Sequence, residues 1–90
     1  MEYIQGNKRI TVLNEKKEEI GEITWTNAGE SLIIIDHTFV ENDYRGQGIA
    51  EKLVALSVDF ARVNQVKVLP LCPFAKKEFD QKTEYHDVLK

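Results

Sequence analysis

Val40-Glu41-Asn42-Asp43-Tyr44-Arg45-Gly46-Gln47-Gly48-Ile49-Ala50 is the stretch on which the reading of this chain turns. An apolar run, Leu32 to Val40, leads into it, and an amphipathic run leads out. Ile49, Leu53, Leu56 and Phe60 fall at i, i+4, i+7 and i+11, with Ala50, Val54, Val58 and Ala61 widening the stripe. Glu51, Lys52, Asp59 and Arg62 occupy the other side, so the spacing predicts a helix from Ile49 to Val63. Asn64 is placed to end it in a left-handed conformation. Between strand and helix lies a polar loop, Glu41 to Gly48, with glycines at 46 and 48.

Working upstream, Leu32 to Val40 is apolar enough to be a central strand buried on both faces, or two strands joined by a bend or bulge. Arg9 to Leu13 and Ile20 to Thr26 alternate in the manner of strands. Polar turns at Asn14–Glu19 and Asn27–Gly29 join them as antiparallel hairpins. Downstream, Val66 to Leu71 reads as a further buried strand. Pro73 opens a short second helix, with Ala75 and Phe79 facing inward. Lys82 to Lys90 is a polar tail, with Tyr85 and Leu89 as its anchors. The fold class is α+β: a mostly antiparallel sheet, a strand–helix–strand crossover from Val40 to Leu71, and a short C-terminal helix. Residues 1–90 form one domain.

The bulk composition is that of a soluble globular protein, 42% apolar and 30% charged. A net charge of −3 with no basic cluster argues against a nucleic-acid binder. The single cysteine, Cys72, excludes an internal disulfide and fits a reducing compartment. No leader pattern precedes Gln5 and no apolar run could span a bilayer, so a cytoplasmic location without membrane contact is expected. No metal is expected either.

The loop before the long helix is suited to an anion. The first turn of a helix leaves about four N–H groups unpaired, and the helix dipole places roughly half a positive charge there. Gly46 and Gly48 let a phosphate approach the backbone, Arg45 adds a charge, and Lys52 can reach back. Taken alone, a Gly-x-Gly better fits a flexible loop that happens to precede a helix and binds nothing. Two dinucleotide patterns are excluded: position 51 is glutamate rather than a third glycine, and no Gly-Lys-Ser/Thr follows.

The stretch from Val40 to Ala50 resembles motif A of the GCN5-related N-acetyltransferases, in which a strand runs into Gln/Arg-x-x-Gly-x-Gly/Ala and then a helix. Gly46 and Gly48 match; Asp43 departs from the first position. More narrowly, Ile35–Val40, Arg45–Gly48 and Leu69–Phe74, in that order, resemble a small YjdJ-like acetyltransferase group. The resemblance implies a minimal acetyltransferase fold over nearly the whole chain and acetyl-CoA as co-substrate. The pyrophosphate would sit on Arg45, Gly46, Gln47, Gly48, Ile49 and Ala50. The pantetheine would run beside Phe39 and Val40.

Acyl transfer to an amine needs a base, an oxyanion donor and an acid for the departing thiolate. His37, just upstream of the implied pantetheine contact, is a candidate base, and equally fits a structural histidine within a buried strand. Asp36 is expected on the opposite face from His37. Cys72, ahead of a helix start that favours thiolates, is a candidate acetyl carrier in a two-step route; otherwise it packs. Larger family members often use a tyrosine as acid, which makes Tyr85 a third and weakest candidate; its place in a late polar tail better fits an ordinary surface or core role. Lys76 and Lys77 read as a solvated helix face. The two helices that usually follow the family's first strand have no counterpart in the short turn at Asn14–Glu19, which leaves the acceptor side open. The acceptor is therefore an unidentified amine, small or on a protein. The alternative is a non-catalytic CoA or acetyl-CoA binding or sensor module.

Overall fold

The computed structural model describes residues 1–90. Five strands and two helices follow one another as β1 (Glu2–Gly6), β2 (Arg9–Leu13), β3 (Glu19–Asn27), β4 (Leu32–Val40), α1 (Ile49–Asn64), β5 (Lys67–Pro70) and α2 (Pro73–Gln81). The strands lie in sequence order across one sheet. All neighbours are antiparallel except β4 and β5, which are parallel and joined by α1.

The expected α+β class and crossover are borne out, and several details differ. The N-terminal residues form an edge strand that alternation did not signal, because β1 is exposed at nearly every position. The left-handed residue that ends α1 is Gln65 (φ 56°), not Asn64, and its N–H closes on the carbonyls of Ala61 and Arg62. Residues 82–90 are anchored at Tyr85 and Leu89 as expected, and are more ordered than a polar tail suggests. A 3-10 turn at Thr83–Tyr85 leads to a parallel bridge between Leu89 and Val68 on the free edge of β5. Tyr85 and Val88 are buried there. Arg62 fastens the segment through both oxygens of Asp87 (2.9 Å each) and the carbonyl of Glu84 (2.7 Å).

Both helices contribute to the one core. Leu53, Val54, Val58 and Ala61 of α1 and Ala75 and Phe79 of α2 join Ile10, Val12, Ile23, Trp25, Ile33 and Ile35 from the sheet. Phe60 lies against Trp25 with ring centroids 4.8 Å apart. Burial of this apolar set, at about 25 cal/mol per Å², is the main stabilising term. The other side of the sheet carries Thr11, Glu22, Thr24, Thr26, His37 and Phe39, all partly or fully exposed. No helix covers it. Strand β4 is therefore buried on one face only, contrary to the expectation from its apolar composition.

A bulge interrupts β4. Thr24 pairs with His37 and Trp25 with Ile35, which leaves Asp36 as the inserted residue. The hydroxyls of Thr24 and Thr26 (2.8 Å for the latter) bind the two oxygens of Asp36 and hold its carboxyl below the usual range. Asp36 thus lies on the same bare face as His37, and not opposite it, because the extra residue shifts the pleat.

Candidate acyl-transfer site

Strands β4 and β5 part company after Ile35. The pairing Leu32–Lys67 through Ile35–Pro70 ends there, and the carbonyl of Ile35 takes the N–H groups of both Leu71 (3.0 Å) and Cys72 (3.2 Å). From Asp36 to Val40 the β5-facing edge of β4 pairs with no strand. Its one bond there is at the far end, where Nε of Arg45 donates to the carbonyl of Val40 (3.1 Å). A cleft of about 390 Å³ opens along this edge. Its walls are Thr38, Phe39 and Val40 from β4, Tyr44 to Gly46 and Gly48 from the loop, Ile49 to Glu51 from α1, and Phe74 from α2.

The head of α1 is unoccupied by the protein's own acceptors. Lys52 N–H is the first in the helix to bond, to the carbonyl of Gly48 (3.0 Å). The N–H groups of Gly46, Gln47, Gly48, Ile49, Ala50 and Glu51 donate to no protein atom. Gly46 and Gly48 stand at φ +81° and +79°, the left-handed region that favours glycine. A Cβ at either position would meet nothing within 4 Å, so the space over the loop is free. Arg45 has no carboxylate partner, which leaves its positive charge available beside these donors. A run of free amides, a helix dipole and a guanidinium without a carboxylate partner fit a diphosphate.

Of the residues picked out from sequence, Phe39, Val40, Arg45, Gly46, Gly48, Ile49 and Ala50 line the cleft, and Gln47 does not. Lys52 turns away, its Nζ 6.0 Å from the centroid of the Tyr3 ring. Thr38, Tyr44, Glu51 and Phe74 also line it. The sequence offered no periodic signal for these, although Tyr44 and Phe74 are apolar residues placed beside the loop and beside Pro73.

The three candidate chemical residues fall in different places. Cys72 is buried and is the N-cap of α2, accepting the Ala75 N–H at 3.5 Å. Its S–H donates to Oγ1 of Thr38, 3.3 Å away, on the cleft wall. His37 is adjacent in sequence to Thr38, but the pleat sends it to the bare face. Its side chain is 54% exposed, with Nε2 4.0 Å from Oε2 of Glu22 and the ring stacked near Phe39. The expected structural histidine inside a buried strand is thus not what the fold contains. Tyr85 lies in the C-terminal segment against Phe79, with centroids 5.6 Å apart, and does not line the cleft. Lys76 pairs with Asp80 on the outer face of α2. No group of three or more His, Cys, Asp or Glu side chains is arranged for a metal ion, and no helix is long and apolar enough to cross a membrane.

A strand that parts from its parallel neighbour above a helix start with free amides defines a class of fold, and comparison with known proteins gives it a name. Residues 9–88 match the family model described as GCN5-related N-acetyl-transferase. The chain belongs to that family. It resembles the solution structure of a GCN5-like protein from Staphylococcus aureus, with 32% identity, a TM-score of 0.81, and coverage of 99% of this chain and 87% of that one. A GNAT family N-acetyltransferase from Escherichia coli in complex with CoA aligns with a TM-score of 0.64 at 20% identity, over 70% of this chain and 38% of its own. N-acetylglutamate synthase from Neisseria gonorrhoeae, complexed with coenzyme A and N-acetyl-glutamate, aligns at 0.67 and 17% identity, over 89% of this chain and 22% of its own. The chain therefore spans well under half the length of these two larger relatives. No curated protein sequence matches it.

Proposed function

We propose that this protein binds acetyl-CoA and transfers the acetyl group to an amine, with Cys72 as the transient carrier. The diphosphate is bound by the free amides of Gly46 to Glu51 with Arg45 beside them, and the pantetheine lies along the open edge of β4 from Thr38 to Val40. CoA in the structures of two larger family members supports the donor. The observation that carries the chemistry is the contact between Cys72 and Thr38, which sets a thiol against the cleft wall where the strands separate.

In the first step Sγ of Cys72 attacks the thioester carbonyl. A C–S bond forms to Cys72, the C–S bond to CoA breaks, and the thiol proton leaves with the CoA sulfur. The Ala75 N–H, 3.5 Å from Sγ, fixes the position of the sulfur at the start of α2. In the second step an amine entering at the gap where β4 and β5 part attacks the acetyl-cysteine. The new C–N bond replaces the C–S bond, and the amine proton passes to Sγ as it leaves. His37 lies on the other face of β4 and is assigned no proton transfer to or from Sγ. Tyr85 is assigned no part in this scheme.

Titration with CoA and acetyl-CoA tests the donor: shifts of the Gly46–Glu51 amides are expected, and their absence removes the reading. Mass spectrometry after mixing with acetyl-CoA tests the carrier. A single acetyl adduct is expected, absent in Cys72→Ser. Turnover of an amine by Cys72→Ser at the wild-type rate would establish direct attack instead. Binding without turnover of any amine in a broad acceptor screen would identify a CoA-binding or sensor module.

A further inference from the structure

Asn14 lies in the turn between β2 and β3, far along the chain from the cleft, yet its amide is fully engaged there. Its Oδ1 accepts from the N–H groups of Lys16 and Glu18, both at 2.9 Å. Its Nδ2 donates to Oε1 of Glu18 (2.9 Å) and to the hydroxyl of Tyr44 (3.0 Å). Two acceptor and two donor positions are all that an asparagine amide has. Turning the group over would set its NH₂ against two backbone N–H donors, so the turn itself dictates which end faces Tyr44. The turn is further closed by Asn14 N–H to the Glu18 carbonyl and Lys17 N–H to the Asn14 carbonyl, each 3.0 Å.

Tyr44 is the other half of the link. It ends the 3-10 turn Asn42–Tyr44, immediately before Arg45 and Gly46, and its ring is a wall of the cleft. The next residues have little else to hold them. Gly46 and Gly48 have left-handed dihedrals and open space around them, and the N–H groups from Gly46 to Glu51 bond to nothing in the protein. A loop whose donors are reserved for a ligand needs its position set from outside. The bond from Asn14 to the Tyr44 hydroxyl and the bond from Arg45 to the Val40 carbonyl tie down the two residues just ahead of Gly46.

We infer that Asn14 is a positioning residue for diphosphate binding: through the Tyr44 hydroxyl it holds the Arg45–Gly48 loop in the arrangement that aims its free amides at the ligand. This rests on the diphosphate reading of the loop. Pre-organisation of this kind lowers the ordering cost at binding, so its loss weakens affinity while leaving the core untouched.

The test is a double-mutant cycle with Tyr44→Phe, which keeps the ring, and Asn14→Ser, which keeps an acceptor for the turn N–H groups. CoA affinity and backbone amide order parameters in the ligand-free protein are read on all four proteins. Each single substitution is expected to weaken CoA binding about three- to tenfold, the range of one hydrogen bond, and the double substitution to be no worse than the more damaging single one. Order parameters at Gly46 to Ala50 are expected to fall in both, with Leu53 and Val58 unchanged. CoA binding and loop order parameters that ignore both substitutions, or effects that multiply in the double variant, would overturn the inference. Failure of the wild-type protein to bind CoA would sink the functional reading instead, and the order parameters of the ligand-free loop would still decide whether Asn14 and Tyr44 act as one unit.

Discussion

Cys72 and Thr38 meet across the point where the sheet parts, thiol to hydroxyl at 3.3 Å. The same sulfur accepts a backbone N–H at the start of α2. One atom is therefore the helix cap and the proposed nucleophile, and substitutions separate the two. Serine is a better N-cap than cysteine, so Cys72→Ser is expected to be as stable as the wild type, within about 0.5 kcal/mol, while losing the acetyl adduct. Cys72→Ala removes the cap and is expected to cost about 1 kcal/mol. Urea unfolding alongside mass spectrometry checks both. A Cys72→Ser protein that unfolds much more readily would mean that the sulfur's packing matters more than its chemistry.

Gly46→Ala and Gly48→Ala probe the loop. Neither new methyl group would strike the protein, so the cost is conformational, about 1–2 kcal/mol for a residue with Cβ in the left-handed region. Both variants are expected to fold, to melt a few degrees lower, and to bind CoA more weakly. Calorimetric titration reads the last effect. Unaltered affinity in both would contradict close approach of a phosphate to this backbone.

Gly21→Ala is expected to disturb the site from behind. A Cβ there would lie 2.9 Å from the carbonyl of Phe39 and 2.9 Å from Cγ1 of Val12, with the backbone of β4 on one side and the core on the other. Overpacking of this kind costs about 1–3 kcal/mol. The displaced strand is the one that carries Thr38 and Phe39, so weaker CoA binding should accompany the loss of stability. Chemical-shift changes confined to β2, with β4 unmoved, would show that the strain is relieved elsewhere.

The C-terminal segment should respond to acid. Hydrogen bonding and charge from Arg62 hold the Asp87 carboxyl below the ordinary aspartate range. A depressed carboxyl adds stability that is complete above its unfolded value, about 4, and is lost as pH falls through the lower folded value. Protection of the Val68 and Lys90 amides, relative to their intrinsic exchange at each pH, is expected to fall over that acid window in the wild type, and to be low already at neutral pH in Asp87→Asn. Identical acid profiles for the two proteins would show that the pair adds nothing.

Much of this arrangement was legible in the chain. The alternation of Arg9–Leu13, the stripe from Ile49 to Ala61 and Pro73 before α2 are local patterns, and local periodicity reports them faithfully. The family resemblance rested on the same loop that supplies the free amides. Other features have no local signature. The edge strand Glu2–Gly6 buries almost nothing, so it shows no contrast between faces. The bulge at Asp36 is a matter of register with β3, which decides the face of every residue before it and cannot be seen within β4 alone. The pairing of Leu89 with Val68 and the bond from Asn14 to Tyr44 join residues far apart in sequence. Such contacts exist only once the chain has closed on itself.

Alternation along β4 places His37 and Thr38, neighbours in the chain, on opposite sides of a single strand. In this small protein a donor lodged beside Thr38 leaves the face of His37 vacant, and the two sides communicate around the open edge of β4. The body of a bulky acceptor could rest on that face and reach the parted edge with its amine alone, without passing the nucleotide.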